Sequence, residues 1–438
     1  MFVTDLKVRE LGSERGSFAL KGLSIVAGDS MEFIPKGFIE VESGRITGLG
    51  EESAGHIDSD VDYAGLIAIP GFVDAHTHIG DSVAKDVAVG KSIAEIVSPV
   101  GGLKHRILRE TSTEELVSGM RESIVDMIRS GITTFADFRE NGPNGARLLI
   151  RAASELPIRS RILGRLGERV FSDEELQRNI ARLPQSALEE LQETLSIAHG
   201  ISSSSANDLT DPALSEIAQL ATKIGKLRGI HVAETEQSLQ KSVSRTGVTD
   251  VARVLKHFHP DFVVHMTNAT EHDIEVVQRE RVPVVCCPRA NAILGVGIPP
   301  VLRLMENDHP IALGTDNIML NSPDMFREMD YVSRALRAVS RNPSKPEPKD
   351  VLKMATVNGA RALRIESETG SIKIGKLADI VLVDAREPNL ARSHDPIASL
   401  VLRASVRNIV AVFSEGRLAY RRQDFKERLI HDGSSSSA

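Results

Sequence analysis

Residues 70–78 read Pro70-Gly71-Phe72-Val73-Asp74-Ala75-His76-Thr77-His78. Pro-Gly punctuates the chain, and the run from Phe72 to His76 is then the first candidate strand of a longer series. Residues two apart on a strand point to the same face, so His76 and His78 project together from its end. Two imidazoles converging there make half of a zinc-type site. In an ordinary loop the same pair would be one hydrogen-bonded and one exposed histidine, so the surroundings decide.

Working outward, short apolar runs alternate with segments of helical periodicity from Leu66 onward. Further strand candidates are Ile132–Ala136, Arg161–Leu166, Leu195–Gly200, Gly229–Ala233, Phe262–His265, Pro283–Cys287 and Pro310–Leu313, which with the first make eight. Thr111 to Ser130 reads as a helix, with Thr111-x-x-Glu114 as a capping box and Gly131 as its stop. Helical stretches at Pro212–Gly225, Thr270–Glu280, Asp324–Ala338 and Pro348–Asn358 fall between or after the strands. Eight strands in one βα series predict the α/β class and a closed, TIM-like (β/α)8 barrel.

The two ends of the chain have a different texture. Residues 37–50, GFIEVESGRITGLG, alternate apolar and polar on both sides of Glu42-Ser43-Gly44, a hairpin signature. Residues 371–385, SIKIGKLADIVLVDA, and 406–420, VRNIVAVFSEGRLAY, are again short, β-branched and punctuated by glycine. These ends are expected to pair into one small β-sandwich, from 1–66 and 370–430, flanking a barrel over 67–369, with 431–438 a Ser-rich frayed tail.

Composition narrows the function. At 438 residues, 41% hydrophobic and 26% charged, the chain is neither disordered nor collagen-like, and no run approaches the roughly 18 apolar residues of a membrane span. The N-terminus mixes charges and lacks the apolar core of a secretory signal. A net charge of -7, with 4% aromatics and no Trp, argues against nucleic acid and anionic membrane as partners and leaves a small molecule. The adjacent Cys286 and Cys287 cannot staple distant segments, which suits a reducing cytoplasm. Buried strand thiols of this kind are usually inert.

Three more residues stand where a barrel gathers its chemistry, at the C-terminal ends of strands. His231 closes the run from Gly229 and is followed by Glu234; His265 ends Phe262–His265; Asp316 lies just past the eighth strand. One such histidine is more often structural than functional, but the coincidence on strands one, five, six and eight points to a site. Around the same mouth lie Arg139 and Glu140, Arg165, Ser202–Ser205 with Asn207 and Asp208, and Arg289 with Asn291. An arginine there could grip a substrate carboxylate or phosphate, and the competing reading for each is an ordinary salt bridge. His105 falls on a lid after the first strand. Asp74 and Asp137 are read as supports of the mouth, and His199, His257, His259, His272, His309 and His394 as surface or packing residues.

These motifs together resemble the amidohydrolase superfamily, within it the metal-dependent branch of cytosine, guanine and S-adenosylhomocysteine/methylthioadenosine deaminases and chlorohydrolases. They are PGFVDAHTH (70–78), GITTFADF (131–138), HVAE (231–234), VVH (263–265), CPRAN (287–291), GTDN (314–317), ATVNGARAL (355–363) and GSIKIGKLADIVLVD (370–384). The resemblance implies that His76, His78, His231 and Asp316 hold one divalent metal ion, that Glu234 is the acid/base carboxylate, and that His265 meets the attacking water or the substrate. Asp316 would also orient that water. Two-metal members carry a carboxylated Lys near the end of the fourth strand. Residues 196–202 contain none, so a mononuclear site is expected, with zinc the default and iron acceptable to the same donors. The His-x-x-Glu arrangement is typical of branches that hydrolyse aminated carbons, which implies deamination of a purine, pyrimidine, pterin or nucleoside ring.

The alternatives are a formimino or amide hydrolase, a triazine-type chlorohydrolase, and a non-catalytic scaffold relative, although such relatives typically lose the ligands retained here. Family habit also implies homo-oligomers. Two departures stand out: the segment after the first strand is basic and lacks the Trp of adenosine-type members, and Arg289 replaces a residue that is commonly small.

Overall fold

A computed structural model describes residues 16–51, 63–97, 101–167 and 169–423. The expected tail at 431–438 and the first fifteen residues lie outside the described part. Near the N-terminus, alternating sequence gives β1 (Phe18–Ala27), β2 (Glu32–Glu42), β3 (Arg45–Glu51) and β4 (Leu66–Pro70). The β2–β3 hairpin turns at Ser43 and Gly44, both with positive φ (49° and 79°), as a two-residue turn between twisted strands demands.

One residue further, Gly71 separates β4 from β5 (Phe72–His78), the first strand of a second sheet. It continues through β6 (Ile132–Arg139), β7 (Arg159–Gly164), β8 (Gly200–Ser203), β9 (Leu227–Val232), β10 (Phe262–His265), β11 (Val284–Cys286), β12 (Ile311–Leu313) and β13 (Asp316–Asn317). All its pairings are parallel, and the nine strands follow one another in chain order except that β13 pairs with β5. Because β12 pairs with β11 and lies only Gly314 and Thr315 away from β13, the two ends of this curled sheet come from one stretch of chain. The curl is consistent with the TIM-like barrel expected from the βα series.

Burial on both faces explains why these strands read as continuous apolar runs. Alternate residues separate cleanly. Val73, Ala75, Ala136, Phe138, Leu163, Val264 and Val285 pack among themselves. Their neighbours Phe72, Phe135, Ile162, Ile201, Ile230, Val263 and Val284 pack with helix residues such as Met120, Ile124 and Leu149.

The C-terminal strands β14 (Ile380–Asp384), β15 (Ile409–Ser414) and β16 (Arg417–Arg421) join β1–β4 in the order β16-β15-β14-β4-β1-β2-β3. Both ends of the chain do meet, but as one hydrogen-bonded seven-stranded sheet; two separate layers of a sandwich are not what the pairing shows. This sheet bends around its own core, so that Phe18 of β1 stacks on Phe413 of β15 at 4.7 Å across three strand positions. Arg159 ties the two sheets together, reaching Thr134 Oγ1 at 2.7 Å, Asp379 at 3.1 Å and Glu415 at 2.9 Å.

Three local expectations need correction. Leu195–Gly200 is not the fourth strand: a helix runs Gln185–Ile197, with Ala187, Leu191 and Leu195 buried at i, i+4 spacing, and the strand follows at Gly200–Ser203. The capping box lies one residue later than read, at Ser112 and Glu115, because the helix starts at Thr113. Pro348–Asn358 is interrupted; helices Pro348–Met354 and Val357–Ala362 meet at Thr356, whose backbone is non-helical. No described helix is long and apolar enough to cross a membrane.

Candidate active site

The C-terminal ends of β5, β9 and β10 and the start of β13 bring His76, His78, His231, His265 and Asp316 together. Nε2 of His231 is 3.3 Å from Nε2 of both His76 and His78, and Asp316 Oδ1 is 3.4 Å from His76 Nε2 and 3.7 Å from His78 Nε2. Donors about 2.0–2.1 Å from a tetrahedral zinc-type centre are separated by edges of about 3.3–3.4 Å, so this set has the right size for one divalent ion. Ring orientation agrees. His78 Nδ1 lies 3.1 Å from the Phe138 carbonyl and His231 Nδ1 3.1 Å from the Ser203 carbonyl. With the proton on Nδ1 in each ring, two Nε2 lone pairs face one another, an arrangement that needs a cation between them.

Burial keeps His76 neutral, its pKa pushed down to about 3, and pushes His231 well below its ordinary value. Burial alone would raise Asp316, but its hydrogen bond with His76 outweighs burial and holds its carboxyl well below the usual range. The shifts of His76, His231 and Asp316 all favour the deprotonated forms that bind a metal.

Backbone geometry at these strand ends is unusual. Ala233, His265 and Asp316 all have positive φ (46°, 80° and 63°), costing about 1–3 kcal/mol each in residues other than glycine. Packing enforces them. Asp74 accepts from Thr315 N at 3.0 Å and Thr315 Oγ1 at 2.6 Å, which fastens the segment before Asp316 to β5. Gly314 runs so close to His76 that a Cβ there would lie 2.8 Å from the histidine's Cβ and carbonyl oxygen. Asp137 supports the other side, accepting from Ile79 N at 2.6 Å.

Glu234 stands beside the donors without joining them. Its Oε1 is 3.5 Å from His265 Nε2, and burial raises its carboxyl above the usual range. Asn291 Nδ2 lies 3.3 Å from the other nitrogen of His265. His78, His231, Glu234, His265 and Asp316 line one pocket. Its lining combines apolar residues (Ile93, Ile96, Val97, Leu294, Leu320) with Lys104, His105, Arg165 and Ser204.

The substrate candidates divide accordingly. Arg165 and His105 line the pocket, 3.5 Å apart, and burial with the Arg165 charge pushes His105 down to about 4. Arg139 does not line it: the guanidinium is buried against Glu140 and Asp137. Arg289 is likewise spent on Glu328 at 3.2 Å and the Ser322 carbonyl at 3.3 Å. For both, the salt-bridge reading holds. Asn291 reaches His265 instead of the cavity. Two polar pocket residues, Lys104 and Asn317, were not singled out, although each adjoins one that was, His105 and Asp316. Cys287 lies near His265 and Asp316, its thiol pushed far up by burial, then by the Asp316 and Glu328 charges.

A parallel βα sheet that collects three histidines, an aspartate and a flanking glutamate at its C-terminal edge is the arrangement of a metal-dependent hydrolase. The chain belongs to the amidohydrolase family, which it matches over residues 67–419. It is 38% identical over 381 residues to a putative aminohydrolase of Methanothermobacter thermautotrophicus, covering 87% of this chain and 94% of that protein. It is 30% identical over 425 residues to a 5-methylthioadenosine/S-adenosylhomocysteine deaminase of Moorella thermoacetica, covering 94% and 96%. Among solved structures, a zinc-bound adenosine deaminase from Xanthomonas campestris shares the fold, with a TM-score of 0.75 at 22% identity over 91% of this chain and 92% of that one.

Proposed function

We propose that this chain is a mononuclear, metal-dependent aminohydrolase that removes ammonia from an aminated heterocycle. The observation that carries the reading is the convergence of four donor atoms, with His231–His76, His231–His78, Asp316–His76 and Asp316–His78 separations of 3.3, 3.3, 3.4 and 3.7 Å, and Glu234 alongside but outside the set. His76, His78, His231 and Asp316 would hold the ion, zinc before iron for three imidazoles and a carboxylate. When bound, the ion makes a water nucleophilic at neutral pH.

The chain's own residues supply the rest. Asp316 orients the attacking water. Glu234, its carboxyl raised by burial, carries a proton to a ring nitrogen as water adds to the amino-bearing carbon, then another to the departing ammonia. His265, held from behind by Asn291, donates toward the oxygen that gains charge. Arg165 gives the pocket a specific handle. Its contacts are Ser204 and His105, and among the described residues no carboxylate lies within ion-pair distance. That charge favours substrates bearing a carboxylate or phosphate. The catalytic unit would be a closed (β/α)8 barrel over 67–369, in the cytoplasm, where two free buried thiols are at home.

The test is ammonia release from adenine nucleosides, guanine, cytosine and pterins, with metal content measured on the same sample. Ammonia from one ring class, with about one metal per chain, is the expected result. Metal without ammonia from any of them would redirect the assignment to formimino, amide or chloride substrates.

A further inference from the structure

The helix Leu103–Glu110 carries Lys104, whose buried ammonium reaches Glu140 Oε1 at 2.6 Å and Asp81 Oδ2 at 3.5 Å. Each carboxylate has a second partner that matters. Glu140 Oε1 also lies 3.3 Å from Nδ1 of His78, while its other oxygen is held by Arg139. Asp81 accepts from Asn317 Nδ2 at 2.7 Å and from Met319 N at 3.1 Å, which fixes the chain directly after Asp316. Lys104 is thus the point where the helix over the pocket, the end of β5, the end of β6 and the start of β13 meet.

We infer that Lys104 is a positioning residue for the metal centre: it docks its helix over the pocket and, through Glu140, holds His78 in register with the other donors. This rests on the metal-dependent reading above. Asp81, Asp137, Glu140, Arg139 and Lys104 form a buried cluster in which two cations serve three carboxylates. Removing Lys104 leaves Arg139 alone against all three, and Oε1 of Glu140, the oxygen that faces His78, then loses the cation that holds it while Oε2 stays on Arg139. Partners of a ligating histidine's distal nitrogen are typically worth about 10–100-fold in metal affinity. Lys104 also lines the cavity, so the rival role is direct contact with substrate, which would leave metal affinity untouched.

The experiment measures zinc affinity by chelator competition on the full chain. The variants are Lys104→Met, Lys104→Arg, Glu140→Gln, the Lys104→Met/Glu140→Gln pair, and the exposed Arg106→Ala as control, each checked for fold by circular dichroism. Lys104→Met should weaken zinc binding about 10-fold or more, and Lys104→Arg should recover most of that loss. The pair should bind no more weakly than Glu140→Gln alone, because both act through one carboxylate, and Arg106→Ala should match wild type. Should Lys104→Met not fold, Lys104→Gln replaces it in every comparison. Wild-type affinity in Lys104→Met and Glu140→Gln overturns the inference alone, as does full additivity in the pair. Absence of zinc binding in the wild-type chain overturns the functional reading as well.

Discussion

At the scale of single residues, the sharpest division is between Glu234 and the four groups next to it. Glu234 touches His265 but none of the converging donors, so its carboxylate should be dispensable for metal and indispensable for chemistry. Glu234→Gln is expected to retain about one metal per chain while kcat falls by at least 10²-fold. His231→Ala and Asp316→Ala should instead lose metal and turnover together, with the fold largely intact by circular dichroism. Full activity in either would sink the site assignment. The two histidines at 76 and 78, and His231, His265 and Asp316, were readable in the chain because each ends or follows a recognisable apolar run. Arginines were not readable in this way. Arg139, Arg165 and Arg289 look alike in sequence, and only packing shows that two are neutralised by neighbours while one faces the cavity.

At the scale of elements, β-strands were legible where apolar runs were bounded by turn residues, and misplaced where a helix end merged with a short strand. Leu195 belongs to a helix because Ala187 and Leu191 precede it at helical spacing, and the four-residue β8 was too short to compete as a signal. The joint between sheets was not readable at all, since Arg159 meets partners 220 and 256 residues away. Arg159→Leu strips Asp379 and Glu415 of a guanidinium at that joint, and should cost about 3 kcal/mol. Chemical denaturation is expected to show the loss as one transition at lower denaturant. A separate early transition would mean that the two sheets unfold independently.

At the scale of the molecule, the donors come from three strands, β5, β9 and β13, along 241 residues of chain from His76 to Asp316, so a bound ion links the β13 end of the curled sheet to its middle. Dialysis against a chelator should abolish turnover and lower Tm, and one equivalent of zinc should restore both. A free ion at 100 times its Kd contributes about 2.7 kcal/mol. Unchanged Tm on metal removal would show that packing alone assembles the site. By itself the sequence determined the βα series, the β-rich ends and the residue types at the strand ends, because hydrophobic periodicity and turn chemistry are local properties. Only the tertiary structure decided that the ends form a single sheet, that Ala233, His265 and Asp316 sit in left-handed backbone, and which buried charges neutralise one another. Those depend on distances between residues far apart in the chain, and no local pattern encodes them.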